Sequence, residues 1–314
     1  MSKKILLSGI KPTGRPHIGN YFGAMKQYVD LQENYENYIF VANYHAMTTV
    51  HNKEELARET LDIVLDYLAI GLDPEKTTLY LQSDVPEVTE LTWIFNTLVT
   101  VPYLQRSHAY KDSIAKGYDP NVGLFNYPVL MASDILIQNA DVVPVGLDQK
   151  QHIEYARDIA EKFNNTFGKI FKLPEHLILK DVAIVPGIDG KKMSKNYGNT
   201  IPLFATREKI QKAVMSIVTD SSGDFPHNVF SIHKLFKNEN ELSSLYESNK
   251  GNYKTLKEAL IEDMDAYIKP LRERRDSIAQ DEKYIRKALQ NGGKKARSRA
   301  QEKMYEVKQK VGIL

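Results

Sequence analysis

Lys11-Pro12-Thr13-Gly14-Arg15-Pro16-His17-Ile18-Gly19-Asn20-Tyr21 is the stretch on which the reading of this chain turns. Before it stands an apolar run, Ile5-Leu6-Leu7, closed by Ser8-Gly9, and after it Tyr21 to Leu31 has helical spacing. The pattern predicts a buried strand over 3–8, a tight turn and a helix over 19–33. Such a junction aims backbone N–H groups and the positive end of a helix at one spot, which makes a phosphate site. His17 and Asn20 add side-chain donors there, and Gly19 lets a ligand approach the backbone. The dinucleotide-binding glycine pattern is not met, because only Gly14 and Gly19 are present and their spacing is wrong. Taken alone, the stretch reads equally well as an ordinary Pro-Thr-Gly turn with a structural histidine.

Size and composition bound the rest. At 314 residues the chain has room for one large domain or two of ordinary size, with the apolar and charged fractions of a soluble globular protein. There is no cysteine, which excludes disulfides, thiolate zinc sites and iron–sulfur clusters. No apolar run is long enough for a membrane span. The start, Met1-Ser2-Lys3-Lys4 and three apolar residues, is too short for a signal-peptide core, so a cytoplasmic protein is expected. The net charge of +2 is unevenly spread. Residues 201–314 hold 22 Lys+Arg against 16 Asp+Glu, and residues 1–200 hold 20 against 24. Either the C-terminal part is simply a solvated helical surface, or it meets phosphate backbone while the N-terminal part does chemistry.

Along the chain, strands are expected at 3–8, 38–42, 78–81, 141–145 and 182–185. Helices are expected at 19–33, 53–70, 88–98 after Pro86, 126–137 and 148–164. Strand and helix alternate without hairpin signals, which predicts a parallel sheet with ligands outside the carboxyl ends of its strands. Residues 101–122 lack periodicity and read as an inserted connection. From Thr206 the pattern is all helix, with stripes at Ile210, Val214 and Ile217 and at Leu256, Leu260, Met264, Tyr267, Ile268 and Leu271. Pro270 is expected to kink or end its helix, Gly292-Gly293 to break the last long pattern, and Lys294 to Val311 to form a final basic helix.

A second stretch, Lys191-Lys192-Met193-Ser194-Lys195-Asn196, lies in a loop announced by Pro186-Gly187 and Asp189-Gly190. Together the two stretches resemble the signature pair of the class I aminoacyl-tRNA synthetases, written HIGH and KMSKS. Here they read His17-Ile18-Gly19-Asn20 and Lys192-Met193-Ser194-Lys195-Asn196, each departing at its last position. Amino-acid activation joins a carboxylate to the α-phosphate of ATP and expels pyrophosphate, so positioning and cations should carry most of it. Lys192 and Lys195 on a mobile loop (186–199) suit closure over the triphosphate, with Ser194 adding a hydrogen bond. His17 and Asn20 are expected to hold phosphate oxygens from the opposite side. In Gly146-Leu147-Asp148-Gln149, Asp148 is either a helix N-cap or a partner of the ATP ribose, and Gln149 a partner of the amino acid's polar groups.

Tyr127, Met131 and Asp134 share one helix face, and an acid on an apolar face needs a partner, which a substrate N–H would supply. Tyr127-Pro128-Val129-Leu130-Met131-Ala132-Ser133-Asp134, followed by Val143-Pro144-Val145-Gly146-Leu147-Asp148-Gln149-Lys150-Gln151-His152, resembles the tryptophanyl-tRNA synthetase family. The likeness runs from Ser8-Gly9 to Gly293-Lys294-Lys295-Ala296-Arg297. It implies an α/β fold: a Rossmann-like parallel-sheet catalytic domain over 1–200 and an all-α anticodon-binding domain over 201–314. The last helix is expected to pack back on the catalytic domain. It implies that Asp134 accepts the indole N–H, that Leu7, Tyr127, Met131, Val143 and Val145 wall the ring, and that His45 and Gln149 help hold the polar end. Lys11, Pro12, Thr13, Gly19, Asn20, Gly146, Leu147, Asp148 and Val185 are implied for the ATP site, with Lys192, Met193, Ser194, Lys195 and Asn196. Lys11 stands where some relatives have Gln. ATP is implied with Mg²⁺ but without a protein cage for the ion. The implied partners are L-tryptophan, tRNA(Trp) and a second copy of the chain meeting it near 101–122.

The nearest rival is tyrosyl-tRNA synthetase, which shares the fold. It places a tyrosine on the first strand and usually Gln at the position of Met131. Here Leu7 and Met131 leave one acceptor and no partner for a hydroxyl, which favours indole over phenol. A site built on a specific hydrogen bond can reject an analogue lacking it by roughly 10⁴–10⁵, a range whose own examples include related synthetases. A tRNA-independent nucleotidyltransferase would have no use for the basic helical segment 201–314. A non-catalytic RNA-binding descendant would not need Lys192, Lys195, Asp148 and Gln149 together.

Overall fold

The computed structural model describes residues 3–117, 119–145, 150–178, 185–219 and 225–314. Gly146, Leu147, Asp148 and Gln149, and all of the strand expected at 182–185 except Val185, lie outside the described residues.

In chain order, β1 (Ile5–Ile10) leads through the signature turn into α1 (Ile18–Asn20), a π-helical turn (Tyr21–Met25) and α2 (Lys26–Leu31). Then come β2 (Glu36–Val41), α3 (Asn43–Ala46), α4 (Lys53–Ile70), β3 (Thr77–Leu81) and α5 (Glu87–Asn96). The stretch expected to be an irregular insertion holds two short helices, α6 (Val101–Leu104) and α7 (His108–Ala115). After α8 (Val122–Ile137) follow β4 (Val142–Val145), α9 (Lys150–Phe167) and β5 (Glu175–Ile178). The remainder is helical: α10 (Arg207–Met215), α11 (His227–His233), α12 (Glu239–Ser248), α13 (Tyr253–Ala279) and α14 (Glu282–Val311).

Among the described residues the strands form one parallel sheet in the order β3-β2-β1-β4-β5. The side-chain period of two sorts each strand onto two apolar layers. Leu6, Ile39, Val41, Leu79 and Val142 lie on the α4 side of the sheet, and α13 packs on α4, so the same core continues through Ile210, Val214, Leu256, Leu260 and Met264. Ile5, Leu7, Tyr38, Phe40, Tyr80, Val143 and Val145 face α5, α8, α9 and α14. With both faces covered, the central strands β1 and β4 run apolar over most of their length, and β2 does so from Tyr38 onward. Among the described residues no helix is long and apolar enough to cross a membrane.

Three expectations are corrected. Pro270 does not end its helix, and α13 runs through it. The carbonyl it deprives of a donor belongs to Ala266, which like Pro270 is exposed, so water can satisfy it. Pro128 likewise sits inside α8, which starts at Val122 behind the Asn121 cap rather than near Asn126. Gly292-Gly293 does not break α14 but is the point where that helix crosses β3. A Cβ on Gly292 would lie 1.9 Å from the carbonyl oxygen of Leu79, so only glycine permits the approach. The helix thus covers β3, one of the two edge strands of the sheet, whose unpaired groups would otherwise be open to association.

At least four of the ten basic residues of α14 are engaged by neighbouring elements of the catalytic part. Lys295 pairs with Glu36, Arg297 with Glu87 and Lys308 with Glu90, while Arg299 donates to the Gln138 carbonyl. A second joint links α13 to the signature turn. Arg275 donates to Asp66 and Asp62 of α4, both at 2.5 Å, and Arg15 lies 3.8 Å from the same two carboxylates. Both guanidinium groups lie over the ring of Phe204, at 5.9 and 5.6 Å.

Candidate active site

The carboxyl ends of β1, β2 and β4 open into a cavity of about 420 Å³, within the range of small-molecule sites. Every expected substrate-side residue that the structure describes lines it: Leu7 from β1, His45 from α3, Tyr127, Met131 and Asp134 from α8, and Val143 and Val145 from β4. The shared face of α8 is thus real, and Leu124, whose carbonyl loses its helical donor to Pro128, lies in the same wall.

Asp134 is the polar centre of this cavity and is only 2 % exposed. Burial raises its carboxyl above the usual carboxylate range, while hydrogen bonds from His45 and Gln82 oppose that rise. His45 Nε2 lies 3.0 Å from Oδ2. The Gln82 amide donates to Oδ1 at 3.0 Å and to Oδ2 at 2.9 Å. A carboxylate has about four acceptor positions. Three are taken, and one remains on Oδ1. Tyr127 closes another side, its hydroxyl 3.1 Å from His152 Nε2 and pushed up to about 12 by burial.

Gln82 was not anticipated. It lies just past the end of β3, where the rule for open parallel sheets places ligand-handling residues, and that rule is the signal that could have found it. His45 was expected at the polar end of the substrate, and the structure shows its ring against Asp134.

Lys11 lines the same cavity from the signature turn. Its amino group donates to Thr48 and Thr49 at 3.3 and 3.2 Å, and burial lowers its pKa. Beyond it the turn forms a reciprocal cap: the Asn20 backbone N–H donates to His17 Nδ1 at 3.2 Å, and the His17 N–H to Asn20 Oδ1 at 3.1 Å. A Cβ on Gly19 would fall 2.8 Å from His17 Nδ1, so the glycine lets the ring fold back. Because Nδ1 accepts, the neutral ring carries its proton on Nε2. Burial, aided by the charge of Lys195, lowers the His17 pKa to about 4, so near neutral pH it is an uncharged donor.

The lysine loop is brought to this turn by backbone pairing. Ile18 donates to the Ile201 carbonyl and Leu203 to that of Pro16, both at 3.0 Å. The loop is held by the buried Asn199, also unanticipated because no linear pattern marks it. Its Oδ1 accepts from the Ser194 N–H at 2.8 Å, and its Nδ2 donates to Asp189 at 2.7 Å and to the Lys192 carbonyl at 3.2 Å. Met193 is buried and its N–H donates to the carbonyl of Val185 at 2.9 Å, while Lys192, Lys195 and Asn196 are exposed. Lys195 Nζ donates to the Thr13 carbonyl at 2.5 Å. His17, Gly19, Asn20, Pro12, Thr13, Val185 and residues 192–196 therefore share one neighbourhood, adjoining the cavity through Lys11. The two parts suit a pairing of an apolar ring bearing an N–H with a polyphosphate.

Comparison with known proteins agrees with this geometry. Residues 2–296 match the family model for class I tRNA synthetases (W and Y). The chain is 51% identical to a tryptophan–tRNA ligase of Fusobacterium nucleatum, over 98% of each chain. Among solved structures it resembles the tryptophanyl-tRNA synthetase of Campylobacter jejuni complexed with ADP and tryptophan. That likeness has a TM-score of 0.93 and 44% identity over 98% of this chain and 99% of that one. The Mycoplasma pneumoniae tryptophanyl-tRNA synthetase follows at a TM-score of 0.84 and 31% identity over 98% of each chain.

Proposed function

The chain belongs to the tryptophan–tRNA ligases of the class I tRNA synthetases, and from that premise we propose how its residues divide the work. The reaction is the ATP-dependent activation of L-tryptophan to tryptophanyl-adenylate and pyrophosphate, followed by transfer of tryptophan to the 3′ end of its tRNA. The observation that carries the assignment of residues is the single open acceptor position on Asp134 in a cavity that Leu7, Met131, Val143 and Val145 wall with apolar side chains. An indole N–H fills that position. A phenol hydroxyl needs a second partner, which Leu7 and Met131 do not offer.

With the ring against Asp134, the amino acid's carboxylate points toward the signature turn, where Lys11 supplies a poorly solvated cation. A carboxylate oxygen attacks the α-phosphorus as the bond to the pyrophosphate oxygen breaks. His17 Nε2–H and the Asn20 amide hold phosphate oxygens on one side. Lys192, Ser194 and Lys195 hold them on the other, Lys195 exchanging the Thr13 carbonyl for the triphosphate. Mg²⁺ enters on ATP. Gly146, Leu147, Asp148 and Gln149 belong to the ribose and amino-acid contacts in this reading. Residues 1–200 do the chemistry, α14 packs back on them, and the other helices after 206 contact the anticodon arm of tRNA(Trp). Exposed apolar side chains on α5 to α8, Trp93, Val101, Ile114 and Val122, support a homodimer that buries residues of these helices. The enzyme acts in the cytoplasm.

Amino-acid-dependent pyrophosphate exchange tests the assignment. Exchange responds to tryptophan and not to tyrosine, and Asp134→Ala raises KM for tryptophan far more than for ATP. An equal rise in both would remove Asp134 from the ring pocket.

A further inference from the structure

We infer that Gln82 is a specificity-determining positioning residue, orienting the Asp134 carboxylate so that one acceptor position is left to select a ring N–H. This rests on the reading of Asp134 as the indole acceptor and adds a residue to it.

Gln82 is 1 % exposed and does not itself line the cavity. Its Oε1 accepts from the backbone N–H groups of Tyr44 at 3.0 Å and His45 at 3.3 Å. These belong to the first turn of α3, whose own N-cap, Ala42, has no side chain able to accept them. With both lone pairs of Oε1 used, turning the amide over would set its NH₂ against two N–H donors. The amide is therefore locked with Nε2 toward Asp134, 3.0 and 2.9 Å from its two oxygens. The same group fixes the backbone of His45, whose ring supplies the other bond to Oδ2. One side chain thus sets both the acid and the acid's second donor. An indole N–H completes the set. A ring whose N–H is replaced by sulfur leaves the acceptor bare, and a buried acceptor without a donor is costly.

The experiment measures kcat/KM in pyrophosphate exchange for tryptophan and for benzothienylalanine, in which sulfur replaces the ring N–H. The full-length protein is compared with Gln82→Met, and KM for ATP and the melting temperature are recorded alongside. The native protein favours tryptophan by roughly 10⁴. In Gln82→Met that preference falls about tenfold or more, the scale of one misaligned charge-assisted hydrogen bond, while KM for ATP stays within about twofold. Should Gln82→Met not fold, Gln82→Asn keeps the amide but withdraws it by one methylene, and the preference falls in the same direction. If kcat/KM drops equally for both amino acids, or the preference is unchanged, Gln82 is only structural and the inference is overturned. Asp134→Ala separates the two levels. If its preference is also unchanged, the reading of the pocket fails. If its preference collapses while that of the Gln82 variants does not, only the assignment of Gln82 fails.

Discussion

Replacing Gly292 by alanine puts a methyl group where the backbone of another element already stands. Its Cβ would lie 1.9 Å from the Leu79 carbonyl oxygen, 2.7 Å from the carbonyl carbon and 3.1 Å from the nitrogen. A close carbon–oxygen contact is about 3.3 Å, so α14 must retreat from β3 by about 1.4 Å. The strand cannot yield instead, because it is paired along its length with β2. Nor is the next position softer: a Cβ on Gly293 would meet Asp84, whose carboxylate accepts from the Leu81 N–H. Retreat also opens the contact below Ala296 and Ala300, both fully buried. Overpacking against a fixed backbone costs about 3 kcal/mol, and the better helix propensity of alanine returns about 1 kcal/mol, for a net loss of about 2 kcal/mol. At about 2 °C per kcal/mol for a chain of this size, the melting temperature falls by about 4 °C. The internal control is Gly23→Ala, since a Cβ at Gly23 meets nothing within 4 Å and the same chemical change there stabilises by up to about 1 kcal/mol. Urea titration followed by circular dichroism, with calorimetry on both variants, reads the two signs. A Gly292→Ala protein melting at or above the parent temperature would refute the claim that the glycine is required by proximity.

Two further outcomes are expected. The folded-state pKa of His17, about 4, lies below its ordinary 6.5, so unfolding takes up a proton between those values. Its contribution to stability is complete above pH 6.5 and is lost as pH falls toward 4. In His17→Gln the slope of unfolding free energy against pH in that window drops by up to about 1.4 kcal/mol per pH unit, and an unchanged slope in urea melts would contradict the assigned burial. Trp93, 72 % exposed, is the only tryptophan in the chain. Without substrate its emission shifts to shorter wavelength as protein concentration rises through dimerisation, and Trp93→Glu sediments as a monomer. A monomeric parent, or a variant that stays dimeric, would exclude that interface.

Much of this was readable in the linear chain because the relevant signals are local. The apolar stretches expected at 3–8, 38–42, 78–81 and 141–145 announce buried parallel strands, and helical spacing announces the helix over 53–70. The Tyr127, Met131 and Asp134 face follows from helical periodicity alone. The strand Glu175–Ile178 escaped because Glu-His-Leu-Ile carries two polar residues and its place is set by pairing with β4. Pro270 and Gly292-Gly293 misled because a breaker's cost depends on surroundings: open solvent beside one, the backbone of β3 beside the other. The π-helical turn at Tyr21–Met25 has no local signature, although such turns recur at functional sites. Gln82 and Asn199 were silent because each joins segments distant in sequence, and an amide's worth lies in what surrounds it.

The crossing of α14 over β3 also orders events during synthesis. Strand β3 is complete at residue 81, yet the helix that covers its edge begins at residue 282. At about 5–20 residues per second, a ribosome takes about 10–40 s to supply it. Throughout that interval the emerging sheet presents an open row of donors and acceptors, the kind of template on which neighbouring nascent chains associate. The cover of a strand finished by residue 81 thus waits on a helix of thirty residues made some two hundred residues later.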